Sequence, residues 1–233
     1  MRTEHPNILC IMADQLTAPA LPFYGHPIVK TPHLSALAAA GVIFENAYCN
    51  SPLCAPSRFS MLTGKLPSRI GAYDNAAYFP ADLPTVAHYL RDLGYHTCLA
   101  GKMHFVGPDQ LHGFEERLTT DIYPSDFGWT PDWENFAERP TWYHDMISVV
   151  QAGLCETSNQ IDFDEEVAFH SQRKLYDLAR GGDKQPFFMT VSFTHPHDPF
   201  AISRNLWNRY NPKDIDMPAV QPIPYDQLDP HSR

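Results

Sequence analysis

The sequence predicts an α/β fold with a mostly parallel central sheet flanked by helices. Three observations predict it. The short runs 7–13, 96–100 and 187–193 have the length and near-continuous hydrophobicity of strands buried on both faces of a parallel sheet. Between them lie stretches with helical spacing and definable ends. Strands and helices therefore alternate along the chain, the pattern of a layered α/β domain, and no internal repeat interrupts it.

The first run, NILCIMA, ends at Asp14, the place where a parallel sheet presents ligand-binding groups. Thr31 is a good cap and Pro32 suits a first helical position, so a helix opens there and closes at Gly41. Residues 42–49 read as a short strand. Residues 57–63 read as a helix ending at Gly64. Thr85 caps the next helix, VAHYLRDL, which ends at Gly94. After the strand at 96–100, residues from about 107 to 159 are rich in aromatic residues, Pro and Asp and hold no period. They read as a loop insertion, and their aromatic content argues against disorder. Residues 162–180 have helical spacing, and Pro186 precedes the strand FFMTVSF. From Asn211 the chain is proline-rich and irregular. It reaches Arg233 without a closing strand or helix, which predicts an interrupted domain.

Composition narrows the function. The chain has 233 residues and a formal net charge of −10, which excludes non-specific nucleic-acid binding. A few local cations can still build an anion pocket. The five cysteines, Cys10, Cys49, Cys54, Cys98 and Cys155, are odd in number and contain no CxxC. This pattern argues against a disulfide framework and a structural zinc site, and Cys10 and Cys98 read as small core residues. The polar start, MRTEHPN, carries no signal-peptide pattern, and no apolar stretch is long enough to cross a membrane. The expectation is a cytoplasmic protein in a reducing compartment. No GxGxxG follows the first strand, so dinucleotide binding is not supported.

The sharpest local feature is Cys54-Ala55-Pro56-Ser57-Arg58, followed by Leu62-Thr63-Gly64-Lys65. It lies some forty residues after the strand that ends in Asp14. Two further strand ends carry Gly101-Lys102-Met103-His104 and Thr194-His195-Pro196-His197-Asp198-Pro199. Taken singly, Cys54 reads as a buried thiol before a turn, Asp14 as a strand-end cap and GKMH as a surface turn. Their joint placement favours chemistry.

C-x-P-x-R with a trailing TGK resembles the signature of type I sulfatases of the alkaline phosphatase superfamily. Within that family, Tyr73-Asp74-Asn75-Ala76-Ala77, the run from Gly101 to Asp132, Asn159-Gln160 and SFTHPHDP resemble choline sulfatases. The likeness runs across the chain but covers only the amino-terminal part of such a protein. It implies an alkaline phosphatase/sulfatase-like fold and hydrolysis of choline sulfate to choline and sulfate. It also implies that Cys54 is oxidised to formylglycine by a formylglycine-generating enzyme, a transient partner. A hydrated aldehyde offers two hydroxyls on one carbon, one to attack sulfur and one to expel sulfate, which splits a hard step into two.

The same resemblance implies roles for other residues. Asp14 and the modified Cys54 hold a divalent cation, usually calcium. Arg58 and Lys102 neutralise charge, His104 takes a proton, and His197 contacts sulfate and serves the leaving alcohol. His195 reads as a group behind these. Asn75 helps hold the sulfate end. Trp129, His144 and Asp145 line the choline end, where a quaternary ammonium seeks aromatic faces and diffuse negative potential. Close relatives carry an amide where this chain has Asp145. Loop packing is the plain alternative for Trp129. The resemblance further implies a homo-oligomer at full length. Two alternatives stay open: a phosphonate or phosphodiester hydrolase of the same superfamily, and an inactive truncated fragment.

Overall fold

The computed structural model describes residues 5–129, 134, 147–181 and 185–229. Its strands are β1 (Ile8–Ala13), β2 (His96–Gly101), β3 (Glu116–Arg117), β4 (Gly153–Cys155), β5 (Phe187–Phe193) and β6 (Ala201–Ser203). Its helices are α1 (Pro32–Ala40), α2 (Cys54–Thr63), α3 (Pro67–Ile70), α4 (Val86–Asp92), α5 (Ile147–Val150), α6 (Asn159–Arg180) and α7 (Arg204–Trp207).

Four strands form one parallel sheet in the order β1-β5-β2-β3. The register sets Ala13 of β1 beside Phe193 of β5, and Gly101 of β2 beside Ser192. Three strands thus end at one level, and the residues that follow them, Asp14, Lys102 and Thr194, emerge together. A separate parallel pair joins β4 to β6.

The pleat sends alternate side chains into two cores. Leu99 and Phe188 join Phe59, Phe79, Phe105 and Phe114 in a cluster that includes residues of α2 and α4. Cys98, Ala100, Met189 and Val191 pack instead with Phe163 and Val167 of α6. The sheet is therefore covered on both faces at β2 and β5, which explains the unbroken apolar run of FFMTVSF.

The sequence reading departs from the structure in several places, and the stretch read as a loop insertion at about 107–159 holds β3, α5, β4 and the first residue of α6. β1 is an edge strand among the described residues, and its side chains alternate between half-buried and exposed instead of being buried on both faces. Residues 42–49 form no strand: no partner strand is aligned with them, and Val42, Phe44 and Tyr48 are exposed. Helix α2 starts at Cys54, three residues earlier than expected. Elsewhere the end signals operate as read. Thr85 and His88 form a reciprocal capping box on α4, and Gly64 closes α2 in the left-handed conformation. Thr31 is an exception, making no side-chain cap bond on α1. Among the described residues no helix is long and apolar enough to cross a membrane.

Candidate active site

The three strand ends meet the first turn of α2. Asp14 N donates to Phe193 O at 3.2 Å, and Lys102 N donates to Ser192 O at 3.0 Å, so the ladder continues into the residues that carry the chemistry. The first turn of a helix has backbone N–H groups without intrahelical partners. On α2 one of them, Ala55 N, donates to Asn75 Oδ1 at 3.0 Å. Asn75 therefore fixes the turn that presents Cys54.

Around Cys54 the charges interlock. Lys102 Nζ lies 3.5 Å from Cys54 Sγ and forms an ion pair with Asp14 Oδ2. Cys54 Sγ lies 3.6 Å from that same oxygen. Arg58 Nη2 reaches it from 3.3 Å, while Arg58 Nη1 donates to Ser192 Oγ at 2.9 Å and to Lys102 O at 2.5 Å. Lys102 is fully buried and Arg58 is 4% exposed, so neither is a solvated surface cation. Burial opposes ionisation of Asp14, but the Lys102 ammonium and the Arg58 guanidinium outweigh it and hold the carboxyl below the usual carboxylate range. For Cys54 the balance goes the other way. Burial pushes its thiol up, Asp14 adds to the rise, and the Lys102 charge does not offset them. The unmodified side chain is a protonated thiol beside two cations.

His104 is buried, and burial first, then the Lys102 charge, lowers its imidazole to about 4. The ring is neutral at neutral pH and able to accept a proton. An extended segment after β2 would set Lys102 and His104 on one side. His104 instead takes a left-handed conformation, φ 59°. The reason is Asp121, whose Oδ2 accepts from Met103 N at 2.9 Å and His104 N at 2.8 Å and so bends the chain after β2.

On the β5 side, His197 Nδ1 donates to Asp198 O at 2.9 Å, which leaves Nε2 for other partners. Donor atoms of Asp14, Cys54 and His197 all lie within 4.8 Å of one another. Three such atoms could hold one side of a cation. Sulfur, nitrogen and one carboxylate suit a softer ion, whereas calcium takes six to eight oxygens. Replacing the sulfur of Cys54 by oxygen moves the set towards a hard cation. Helix α6 supports this side. Asp164 accepts from Thr194 N at 2.7 Å, Thr194 Oγ1 at 2.9 Å, His195 N at 2.9 Å and His195 Nδ1 at 2.7 Å. Gln160 Nε2 donates to Asp198 O at 2.5 Å.

Asp14, Cys54, Arg58, Lys102, His104 and His197 are thus brought to one place, with Asn75 at the α2 terminus. The backbone of Trp129 ends a 3-10 turn, Phe127–Trp129. His144 and Asp145 lie outside the described residues. Sequence reasoning missed Asp121, Tyr123, Asp164 and Ser192. Asp164 had a signal: on α6 it stands one turn after Gln160 and three residues before Val167, so it is a charge on the buried stripe. Asp121 had none, because it pairs with backbone groups 17 and 18 residues away.

Comparison with known proteins identifies the family. A family model described as Sulfatase matches residues 6–219. The chain is 53% identical to a choline-sulfatase of Rhizobium meliloti over 100% of its own length and 46% of that protein's. It is 29% identical to an arylsulfatase of Clostridium perfringens, over 92% of this chain and 48% of that one. The chain therefore spans about half the length of these relatives. Among solved structures, a phosphonate monoester hydrolase of Agrobacterium radiobacter superposes with a TM-score of 0.63 at 26% identity, covering 91% of this chain and 45% of that one. A family model that begins at residue 6 and ends at residue 219 leaves little of the sequence unexplained, and the chain belongs to the sulfatase family.

Proposed function

We propose that this chain carries the nucleophile-bearing part of a sulfuric ester hydrolase acting on choline sulfate, with Cys54 as the residue converted to formylglycine. One observation carries the reading: Cys54 Sγ, at the first turn of α2, lies within 3.5 Å of the Lys102 ammonium and 3.6 Å of Asp14 Oδ2, with Arg58 bound to the same carboxylate. An anionic ester entering there meets two buried cations and the positive end of a helix. Type I sulfatases generally use formylglycine together with a divalent cation.

Conversion of Cys54 would supply a nucleophilic hydroxyl on a carbon able to release sulfate again. Asp14 and the new oxygen at Cys54 would hold one side of a divalent cation, calcium by the hardness of that oxygen set, supplying positive charge to the sulfate oxygens. The chain's own residues do the rest. Lys102 and Arg58 neutralise charge that grows on the sulfonyl oxygens. Neutral His104 accepts a proton, and His197, with Nδ1 held by Asp198, offers Nε2 to the alcohol side. Choline is supported by the whole-chain identity to the Rhizobium choline-sulfatase. Trp129, His144 and Asp145 are the residues proposed for the ammonium end.

The structural likeness to a phosphonate monoester hydrolase favours a second reading, with phosphonate esters at the same site. The test uses a polypeptide with the whole fold, coexpressed with a formylglycine-generating enzyme. Peptide mass spectrometry across Cys54 is expected to show aldehyde. Turnover of choline sulfate is expected to exceed that of phenyl phosphonate, and Cys54→Ala to abolish both. A peptide carrying only thiol, or the reverse substrate preference, would sink the reading.

A further inference from the structure

Tyr123 lies in the run from Gly101 to Asp132 without a role assigned to it there, yet three groups of the site meet its ring. Lys102 Nζ lies 4.5 Å from the ring centroid. The His104 imidazole stacks on the ring at 4.8 Å between centroids, with the planes 28° apart. His197 stands edge-on at 6.4 Å. The residue comes from the loop that also holds Asp121, so the same short segment bends the Lys102–His104 corner through its backbone and covers it with a ring.

Lys102 needs such a support. Its ammonium ends a flexible four-carbon stem and is fully buried. Asp14 and Cys54 occupy part of its surroundings, and the negative face of an aromatic ring is the one apolar surface that attracts a desolvated cation. The ring does so without adding a charge. Burial first, then the acidic groups facing it, Cys54, Asp14, Asp198 and Asp121, push the phenol above its ordinary value, so the face stays neutral while the substrate site stays cationic.

We propose that Tyr123 is a positioning residue for the hydrolysis, its ring face holding the Lys102 ammonium between Asp14 and Cys54 while packing His104 in place. The function assigned here rests on the sulfatase reading of the site. The hold on Lys102 rests on geometry alone, and the two are tested separately.

The first test needs no turnover. Acetic anhydride labelling of the folded chain, read by peptide mass spectrometry, reports the accessibility of Lys102 against the exposed Lys65 and Lys213. Tyr123→Leu is expected to raise relative labelling of Lys102 about fivefold or more, the fold-change of a cation–π contact worth about 1 kcal/mol. Tyr123→Phe keeps the face and is expected to stay within about twofold of the parent. Tyr123→Met, which keeps bulk without a face, replaces the leucine variant if circular dichroism shows that variant unfolded. Unchanged labelling of Lys102 in the variant lacking the ring, or an equal rise at all three lysines, would overturn the proposal.

The second test uses the whole-fold polypeptide with aldehyde confirmed at Cys54. Loss of the ring is expected to lower kcat about tenfold with little change in KM, and Tyr123→Phe to recover most of it. An unchanged kcat would overturn the positioning role. Absence of aldehyde or of any parental turnover would count against the sulfatase reading, while the labelling result still decides whether Tyr123 holds Lys102.

Discussion

The carboxylate of Asp121 is 3% exposed and accepts from Met103 N, His104 N and Arg117 Nη2, the last at 2.8 Å. Charge-assisted bonds of this kind are about twice as strong as neutral ones, which offsets the cost of the left-handed backbone at His104. Asp121→Ala would remove the carboxylate paired with the Arg117 guanidinium, which keeps its bonds to Thr119 and Gln110, and would leave two backbone donors without their acceptor. It is expected to destabilise the fold by about 3–5 kcal/mol, measured by urea denaturation. A loss below about 1 kcal/mol would show that solvent already satisfies those groups. The contrast with Arg58 marks what a sequence displays at this scale. Arg58 stands four residues after Cys54 inside a motif, so its role can be read by position. Asp121 acts on the corner after β2 from a loop without period, and only the folded chain joins them.

At the scale of elements, two features hold the site. The first is the closeness of β2 and β5 where they deliver Lys102 and Thr194. A Cβ on Gly101 would sit 1.9 Å from Ser192 O, at a backbone φ of +93° that side chains rarely adopt. Gly101→Ala is expected to force the strand ends apart, lowering Tm sharply and abolishing the protection of Lys102 from acetylation. A Tm within 2 °C of the parent, about the effect of a mild surface change, would sink this expectation. The second is the grip of α6 on the end of β5. Asp164 raises the His195 imidazole above its ordinary value, with burial opposing. Burial opposes ionisation of Asp164 in turn, but the bonds from His195 and Thr194 outweigh it and lower its carboxyl below 3.8.

The signs define a window. His195 contributes stability that is full below its unfolded value of about 6.5 and is lost as pH rises through the folded value. Asp164 contributes stability that is present above about 4 and is lost as pH falls through its lowered folded value. The pair is therefore worth most between about pH 4 and 6.5. The Tm gap between parent and Asp164→Asn is expected to be widest near pH 5.5 and to narrow by pH 8.5. A gap independent of pH would mean that His195 carries no extra charge in the folded state. Both features were half-legible. The strands and α6 stood out from their apolar runs and spacing, whereas the closeness of Gly101 to Ser192 and the reach of Asp164 depend on which strands become neighbours.

For the whole molecule, the legible part was the layered α/β plan and the convergence of three strand ends on one cysteine. Apolar runs, caps and the Cys54 motif carry that information locally. Strand order is non-local, so nothing in NILCIMA distinguishes a central strand from the edge position that β1 occupies among the described residues. The consequence is physical. Ile8 and Cys10 pack against the core, while Leu9 and Ile11 face away, Ile11 being 62% exposed. Val42 and Phe44, from the segment expected to be a strand, are 78% and 69% exposed. An unpaired strand edge with outward aliphatic side chains is a template for association. Ile11→Lys should therefore separate two properties in this 233-residue chain. The side chain is mostly exposed, so stability by urea denaturation is expected to stay within about 0.5 kcal/mol of the parent. A charge on the edge is expected to shift the sedimentation profile towards monomer. Ile8→Lys, on the inward row of the same strand, is the contrast, and its charge in the core is expected to unfold the domain. A cost of about 2 kcal/mol or more for Ile11→Lys would mean that this side chain is buried in solution and that something covers the outward face of β1.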